Sequence, residues 1–401
     1  MYKIETERGD LFDVNMMIAM QVKVCGFATE TELTEAFRTA VCAFEILNCK
    51  VVIDEKGGAF YENYKTPMHS IVFRNFELEE LIQEQERIRF RLEDGEFIRC
   101  FVSLSNTKEM KICFLMHHLG GDGKSLCYFI EAFMKSLSGE KCEYRRIQLL
   151  NNETLPKTSK LSFLASLVTK VYNRKWQKQR RIFSFEDMEA AYEKFWKSHK
   201  TTVKNVVTNG EELSRKLGEC KANKIGFTSY TIAEMIKDIP QVQDIGLAVD
   251  GRQDRNRTMS NQATGIAVRY RFDKRKTISE NAAVIDREMK KKLRDDSYKY
   301  LVLRFMSTFE PTLVDAVNLE FAGHFHSRMT ERLAKILGYG QNTKDISITN
   351  LTRLDIPTEY GAYRLTDFIF VPPVVSYGKN IIGMVTIGDH LNTTYHRYQD
   401  G

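Results

Sequence analysis

The side chains best suited to chemistry are concentrated in one run: His117, His118, Leu119, Gly120, Gly121, Asp122 and Gly123. A neutral imidazole, with an ordinary pKa near 6.5, is the side chain that takes a proton from a hydroxyl or an amine at neutral pH. The run follows an apolar stretch, MKICFLMH (110–117), and precedes a helical stripe of Leu126, Phe129, Ile130, Phe133, Met134 and Leu137. Adjacent histidines in a strand point to opposite faces, so the two have different tasks and one of them faces a cavity. In a chain with 8 His and 23 Gly, H-H-x-x-x-D-G arises by chance on the order of once in two thousand such sequences, which marks the run as a site. Structural roles stand beside the chemical ones: a core histidine, Asp122 as the N-cap of the helix over 124–137, and glycines that permit a tight turn.

The neighbouring GDGKS invites a phosphate-binding reading. That loop needs glycine five residues before Gly123-Lys124-Ser125, and the position holds His118, so the nucleotide-binding reading fails. Eight cysteines (25, 42, 49, 100, 113, 127, 142 and 220) form no C-x-x-C pair and no metal-ligand spacing. Cys100, Cys113 and Cys127 lie in apolar runs as small hydrophobes, and none is placed to carry an acyl group. His324 and His326 (GHFHS), on one strand face or along a helix, lack a third ligand and make a poor zinc site. His390 and His396 carry no assignment.

The elements that must position the run read as mixed α and β. A strand is expected at 16–24. Thr29 and Glu32 form a capping box ahead of Leu33, Ala36, Phe37, Ala40, Val41 and Phe44 on one helical face. A hairpin follows, with 51–53 and 60–61 around DEKGG, then a polar helix near 77–90. FIRCFVSL (97–104) and MKICFLMH flank SNTKE as a second hairpin whose second strand is buried on both faces. In the second half, a helix capped by Thr228 runs through Met235. Strands are expected at 244–249, 265–272, 345–350, 366–371 and 381–388, with long helices near 276–293 and 312–337.

Loss of periodicity near 150 divides the chain into domains at 1–150 and 186–401, joined by a basic crossover at 151–185. Within it, residues 157–181 carry eight basic side chains and no acidic one, with Leu161, Leu164, Val168 and Val171 at helical spacing. The segment reads as a crossover with a solvated basic face, as a dock for phosphates or an acidic partner, or as a membrane-surface helix.

Composition bounds the rest. With 401 residues, 43% hydrophobic and 28% charged, the chain builds a sizeable core and is neither disordered nor a disulfide-stapled miniature. A net charge of +6 is too weak at this length to argue for nucleic acid and suits an anionic small ligand equally well. No segment reads as a membrane span, and MYKIETERGD lacks the features of a signal peptide, so a cytoplasmic protein is expected.

H-H-x-x-x-D-G resembles the signature of the superfamily that contains chloramphenicol acetyltransferase, nonribosomal-peptide condensation domains, plant BAHD acyltransferases and alcohol acetyltransferases. The likeness spans nearly the whole chain. ETELTEAFRTAVCAFEILNCKVVIDEKGGAFY looks like this family's first helix and hairpin, and RLEDGEFIRCFVSL like the segment leading to the motif strand. AVDGRQDR (248–255) is similar to the V-D-x-R segment of BAHD enzymes, with Ser260-Asn261 near their following Gly-Asn. SYGKN (376–380) echoes their D-F-G-W-G without its Asp and Trp. ISITNL (346–351) is similar to the Ser-Asn segment of alcohol acetyltransferases, with Thr349 in the Ser position.

The resemblance implies an α/β fold of two chloramphenicol-acetyltransferase-like subdomains with an active-site tunnel between them. It makes His118 the base that deprotonates the acceptor, His117 a support for the loop, and Asp122 the partner of Arg252 in a structural salt bridge. Arg269 is the alternative partner, and for Arg252 the alternative is a solvated loop arginine beside Arg255 and Arg257. Gly123 would admit the thioester, Thr349 and Asn350 would face the oxyanion or else cap a strand end, and Tyr377 and Gly378 read as a turn. No metal and no permanently bound cofactor is expected. The co-substrate would be an acyl-CoA or a phosphopantetheine thioester, and the acceptor a small alcohol or amine. The function implied first is a stand-alone acyltransferase of the alcohol-acetyltransferase kind. Its alternatives are a free-standing condensation domain served by acyl or peptidyl carrier proteins, and a catalytically silent binding module.

Overall fold

Alternating and fully apolar segments become strands wherever neighbours cover one or both of their faces. The computed structural model describes residues 1–399 except 105–107, 255, 342 and 376–377. In the first part of the chain lie β1 (Tyr2–Lys3), β2 (Met17–Cys25), β3 (Cys49–Ile53), β4 (Ala59–Asn63), β5 (Ser70–Phe73), β6 (Ile98–Leu104) and β7 (Glu109–His117). Then come β8 (Thr201–Thr208), β9 (Gln243–Asp250), β10 (Ala263–Tyr270), β11 (Ile346–Arg353), β12 (Glu359–Tyr360), β13 (Tyr363–Val371), β14 (Ile381–Ile387) and β15 (His390–Tyr398).

Two six-stranded sheets organise two lobes. One runs β12-β13-β2-β7-β6-β5 and the other β10-β9-β11-β14-β15-β8, while β1, β4 and β3 form a small third sheet. Strand β13, far along the chain, pairs antiparallel with β2 (Phe368 opposite Val22) and so completes the first sheet. The SNTKE turn between β6 and β7 falls largely on 105–107, outside the described residues.

The motif strand β7 is the centre of its sheet, paired to β2 and β6 on either side. Its apolar side chains are buried on both faces, as the unbroken run predicts. Helix α1 (Glu30–Cys42) starts at the expected box: Glu32 N donates to Thr29 Oγ1 at 3.2 Å and Thr29 N to Glu32 Oε2 at 2.7 Å. Helix α2 (Leu78–Gln85) follows, and α3 (Gly123–Leu137) begins where the motif ends. Phe114 of β7 meets Phe129 and Phe133 of α3 edge-on, at ring distances of 5.5 and 5.2 Å. Those contacts weld strand, turn and helix into one rigid piece.

Helix α4 (Phe163–Trp176) occupies the basic crossover, followed by α5 (Phe185–Ser198), α6 (Gly210–Asn223), α7 (Phe227–Ile236) and α8 (Ile278–Arg294). Two expectations need correction. Thr228 does not cap α7: Gly226 holds the N-cap position, and Thr228 Oγ1 instead accepts from Asn350 Nδ2. The expected helix over 312–337 is broken. Beyond α9 (Asp296–Lys299) and α10 (Leu301–Thr308), α11 (Pro311–Phe321) ends near Gly323, which has φ +74°, and α12 (Arg328–Leu337) starts afresh. Ser327 caps the new helix through Thr330, so local hydrogen bonding beats the continuous apolar pattern. Strands β8 and β15 carry no apolar signature, because polar residues such as Thr201, Asn392, Thr393, Thr394 and His396 fill their buried positions, whereas α5 does, with a Ser184–Asp187 capping box ahead of Met188, Ala191, Tyr192 and Phe195. None of the described helices is long and apolar enough to cross a membrane.

Candidate active site

Strand β7 ends on His117, which is buried. Its Nδ1 accepts the Leu119 backbone N–H at 3.1 Å, so the ring carries its proton on Nε2. Burial, together with the positive charges of His118, Arg89 and Arg99, pushes its pKa down to about 3. His117 is therefore neutral at any physiological pH, and it caps the short 3-10 turn of His118–Gly120. Gly121, at φ +152°, would set a Cβ 2.5 Å from Ser125 Cβ, so a side chain there collides with the start of α3.

His118 lies on the other side of the strand end. Its backbone N–H donates to Met16 O at 2.9 Å, and its side chain is half-buried. Its Nδ1 is shut away from solvent and has no hydrogen-bond partner among the described residues. Other buried side-chain atoms, His69 Nδ1 and Asn15 Nδ2 among them, share that condition, so the assignment of His118 rests on its place in the motif turn.

Asp122 fills both of the roles open to it. Oδ1 accepts from Ser125 N at 2.9 Å as the N-cap of α3. The same carboxylate takes a bidentate bond from Arg252, Nη1 to Oδ2 at 2.8 Å and Nη2 to Oδ1 at 3.1 Å. Gln262 N–H adds a bond to Oδ2 at 3.1 Å, and Arg252 Nη2 also reaches Ser125 Oγ at 2.9 Å. Although burial opposes it, the Arg252 guanidinium holds the Asp122 carboxyl below the usual carboxylate range. Arg252 follows β9 in the other lobe, so the bridge clamps the motif turn across the two sheets. Asp250 joins it, reaching Arg252 at 3.1 Å and Lys124 at 3.0 Å. Arg269, the alternative, is exposed on β10.

Three groups at this site carry no motif signal. Tyr61 of β4 places its hydroxyl 2.9 Å from both Glu7 Oε1 and Leu119 O, the carbonyl next to His118. One hydroxyl has one proton, so it donates to only one of them. Burial pushes the Glu7 carboxyl up to about 8. A protonated Glu7 then donates to Tyr61 and Tyr61 donates to Leu119 O, which gives the Tyr61 hydroxyl both a donor and an acceptor. Asp10, the third group, accepts from Asn261 Nδ2 at 2.7 Å across the lobes. Burial raises its carboxyl above the ordinary range, against the positive charge of His118 and the Asn261 bond. The signal available in sequence was ETERGD itself, an acid-rich stretch ahead of an apolar strand.

The Glu7 arrangement has a measurable sign. A carboxyl whose folded pKa exceeds its unfolded value of about 4.3 binds a proton that the unfolded chain has lost. Stability therefore falls as pH rises from about 4.3 to 8 and then levels. Glu7→Gln keeps the shape and the donor. Its Tm is expected to exceed that of the native protein at pH 8–9, with the gap closing toward pH 5; an equal gap at both ends would refute the protonated chain.

Gly123 faces packed side chains rather than open space: a Cβ there would lie 2.9 Å from Leu351 Cδ2 of the other lobe and 3.1 Å from Phe370 Cζ of β13 in its own sheet. That contact brings the end of β11 to the motif. Thr349, two residues earlier, has no side-chain hydrogen bond among the described residues, whereas Asn350 donates to Thr228 and accepts from Thr352 N at 2.7 Å. Gly378 N–H donates to Val375 O; Tyr377 lies outside the described residues. His324 and His326 stand in the loop between α11 and α12, paired with Asp187 and Glu320. Among the described residues no cluster of three or more His, Cys, Asp or Glu could hold a metal.

No family model and no curated protein matches the sequence. Solved structures do match the fold. The condensation domain from the Monacolin K polyketide synthase MokA aligns with a TM-score of 0.64 at 11% identity, over 99% of this chain and 91% of that one. The first condensation domain of the CDA synthetase gives 0.62 at 11% identity, over 98% and 87%. The starter condensation domain of the rhizomide synthetase RzmA, a variant in complex with C8-CoA, gives 0.61 at 11%, over 99% and 89%. The chain has the two-lobed mixed α/β fold of condensation domains.

Proposed function

We propose that this chain transfers an acyl group from a thioester to a hydroxyl or amine, with His118 as the general base. The observation that carries this reading is the half-buried His118 imidazole, carried on a turn locked from both sides. Asp122 and Arg252 clamp one side and Glu7–Tyr61–Leu119 the other. Nδ1 is the enclosed nitrogen, so Nε2 is the one assigned to the proton.

In the reaction the acceptor O–H or N–H gives its proton to Nε2 while its oxygen or nitrogen bonds to the thioester carbonyl carbon. The C–S bond then breaks, and the departing thiolate recovers the proton from the imidazolium. Thr349 is assigned to the oxyanion ahead of Asn350, whose amide is already engaged. Loss of such a donor typically costs about 10²–10³ in rate. A small alcohol or amine is the acceptor, and free acyl-CoA in the cytoplasm is the donor read first. The carrier-protein thioester is the second reading, favoured by the condensation-domain fold.

Calorimetric titration with CoA, acetyl-CoA and a long-chain acyl-CoA decides between the donors. Saturable binding of one of them supports free CoA thioesters, and absence of binding with turnover of a carrier-bound thioester reverses the choice. Release of no thiol from either donor with any alcohol or amine would leave the silent module.

Asp10 is assigned as a positioning residue that opposes the charge His118 acquires in the transition state. Asp10→Asn preserves a partner for Asn261 and is expected to lower kcat about tenfold, a typical share of a general-base effect, with KM and Tm little changed. An unchanged kcat would reduce Asp10 to a structural bond with Asn261.

A further inference from the structure

Helix α4 turns its apolar residues away from the protein. Phe163, Leu164, Leu167 and Val171 lie on one side of the helix at 81%, 72%, 48% and 39% exposure, while Thr169 and Trp176 on the opposite side are fully buried. The inner face is well anchored: Trp176 Nε1 donates to Thr312 Oγ1 at 2.8 Å, and Asn173 Nδ2 donates to Thr308 O at 2.9 Å. The apolar ridge is thus held rigidly outward and has no cover among the described residues.

Cations border this ridge. Lys170 and Arg174 follow it on one flank and Lys175 on the other, all exposed. Residues 157–181 contain eight basic and no acidic side chains, and none of these three cations forms an ion pair with a described residue. Large aliphatic and aromatic side chains set in a rim of unpaired cations form the surface of a helix that lies in a bilayer interface, its apolar ridge among the acyl chains and its cations at the phosphates. A convex single-helix ridge needs a groove in any protein partner, whereas a bilayer receives it with no matched shape.

We propose that α4 docks this protein on an anionic lipid surface, lying in the interface without crossing the membrane. Charge complementarity selects that surface, since anionic headgroups attract each basic side chain within a Debye length. The proposal is independent of the chemistry at His118, because among the described residues the side-chain hydrogen bonds of α4 run within the helix or to Thr308, Glu310 and Thr312, away from the motif turn.

The test is flotation of the full chain with vesicles of phosphatidylcholine alone and of phosphatidylcholine with about one-third phosphatidylglycerol. Binding to the second, weakened by salt, is the expected result. Leu164→Glu/Leu167→Glu should abolish flotation, and Lys170→Glu/Arg174→Glu should reduce the partition coefficient roughly tenfold or more. Tm should be unchanged in both, since all four side chains face solvent; Phe163→Glu, at the most exposed position, serves as an independent check. Failure of the native chain to float with anionic vesicles overturns the proposal, as does flotation that survives the Leu164→Glu/Leu167→Glu change. Saturable binding of an acidic carrier protein to this face, without flotation, assigns the ridge to a protein partner and equally overturns it.

Discussion

His118→Ala is expected to lower acyl transfer by about 10²–10⁴, the range of a lost general base, while the fold stays intact. The second half of that expectation comes from the geometry. The His118 side chain makes no hydrogen bond to a described residue, and the turn is held by backbone bonds to Met16 O and Gly121 N, which survive truncation to alanine. The losses should also separate by parameter. If the imidazole acts only when the acceptor proton moves, kcat falls and the KM for the acyl donor stays close to its native value. Rates measured over a series of pH values, with far-UV circular dichroism on the same samples, provide the check. A fully active His118→Ala protein would overturn the mechanism, and a loss of activity accompanied by unfolding would show that the ring is structural.

Asp122→Ala is expected to lower Tm and activity together. Removing the carboxylate leaves the Arg252 guanidinium buried with only Asp250 as a charged partner, and breaking a buried pair in this way costs about 3–5 kcal/mol. That corresponds to a fall in Tm of roughly 4–6 °C for a chain of this length. The pH dependence has a definite sign. The folded Asp122 carboxyl lies below its ordinary value, so the bridge contributes its stability above about pH 3.9, the unfolded value. That contribution is lost as pH falls through the lower folded value. Between those limits the native protein should therefore be more acid-sensitive than Asp122→Ala. A cycle with Arg252→Ala isolates the pair: the double variant should lose much less than the sum of the single losses. Additive losses would mean that the two side chains do not act as one unit. Arg252→Lys should fall between, since one ammonium reproduces only one arm of the bidentate contact.

Much of the first lobe was legible because its signals are local. Thr29 and Glu32 lie three residues apart and can meet only if a helix starts there, as it does. The unbroken MKICFLMH run fits a strand with neighbours on both faces, the position β7 takes between β2 and β6. The motif turn was legible for the same reason: an N-cap, a positive-φ glycine and a strand end follow from neighbouring residues. Asp122–Arg252 spans 130 positions and was anticipated only through resemblance, since no local rule joins residues so far apart.

What the sequence by itself determined was therefore the chemistry-bearing run, the elements on either side of it, and the mixed α/β class of the chain. Only the tertiary structure decided which side chains enclose that run. Tyr61 reaches it from β4 through one hydrogen bond to Leu119 O, Glu7 stands behind Tyr61, and Asp10 bonds to Asn261 of the other lobe; nothing in their spacing records a partner that folding brings from elsewhere. The same holds for β13, whose apolar run Phe368–Val371 specifies a strand but not the neighbour it joins. For α4, the periodicity marks an amphipathic helix equally well whichever side faces inward. The choice falls to Trp176 and Asn173, whose contacts with residues around 308–312 turn Phe163 and Leu164 to the outside. Burial is a property of the neighbours a residue meets, and those neighbours are fixed only when the chain has closed on itself.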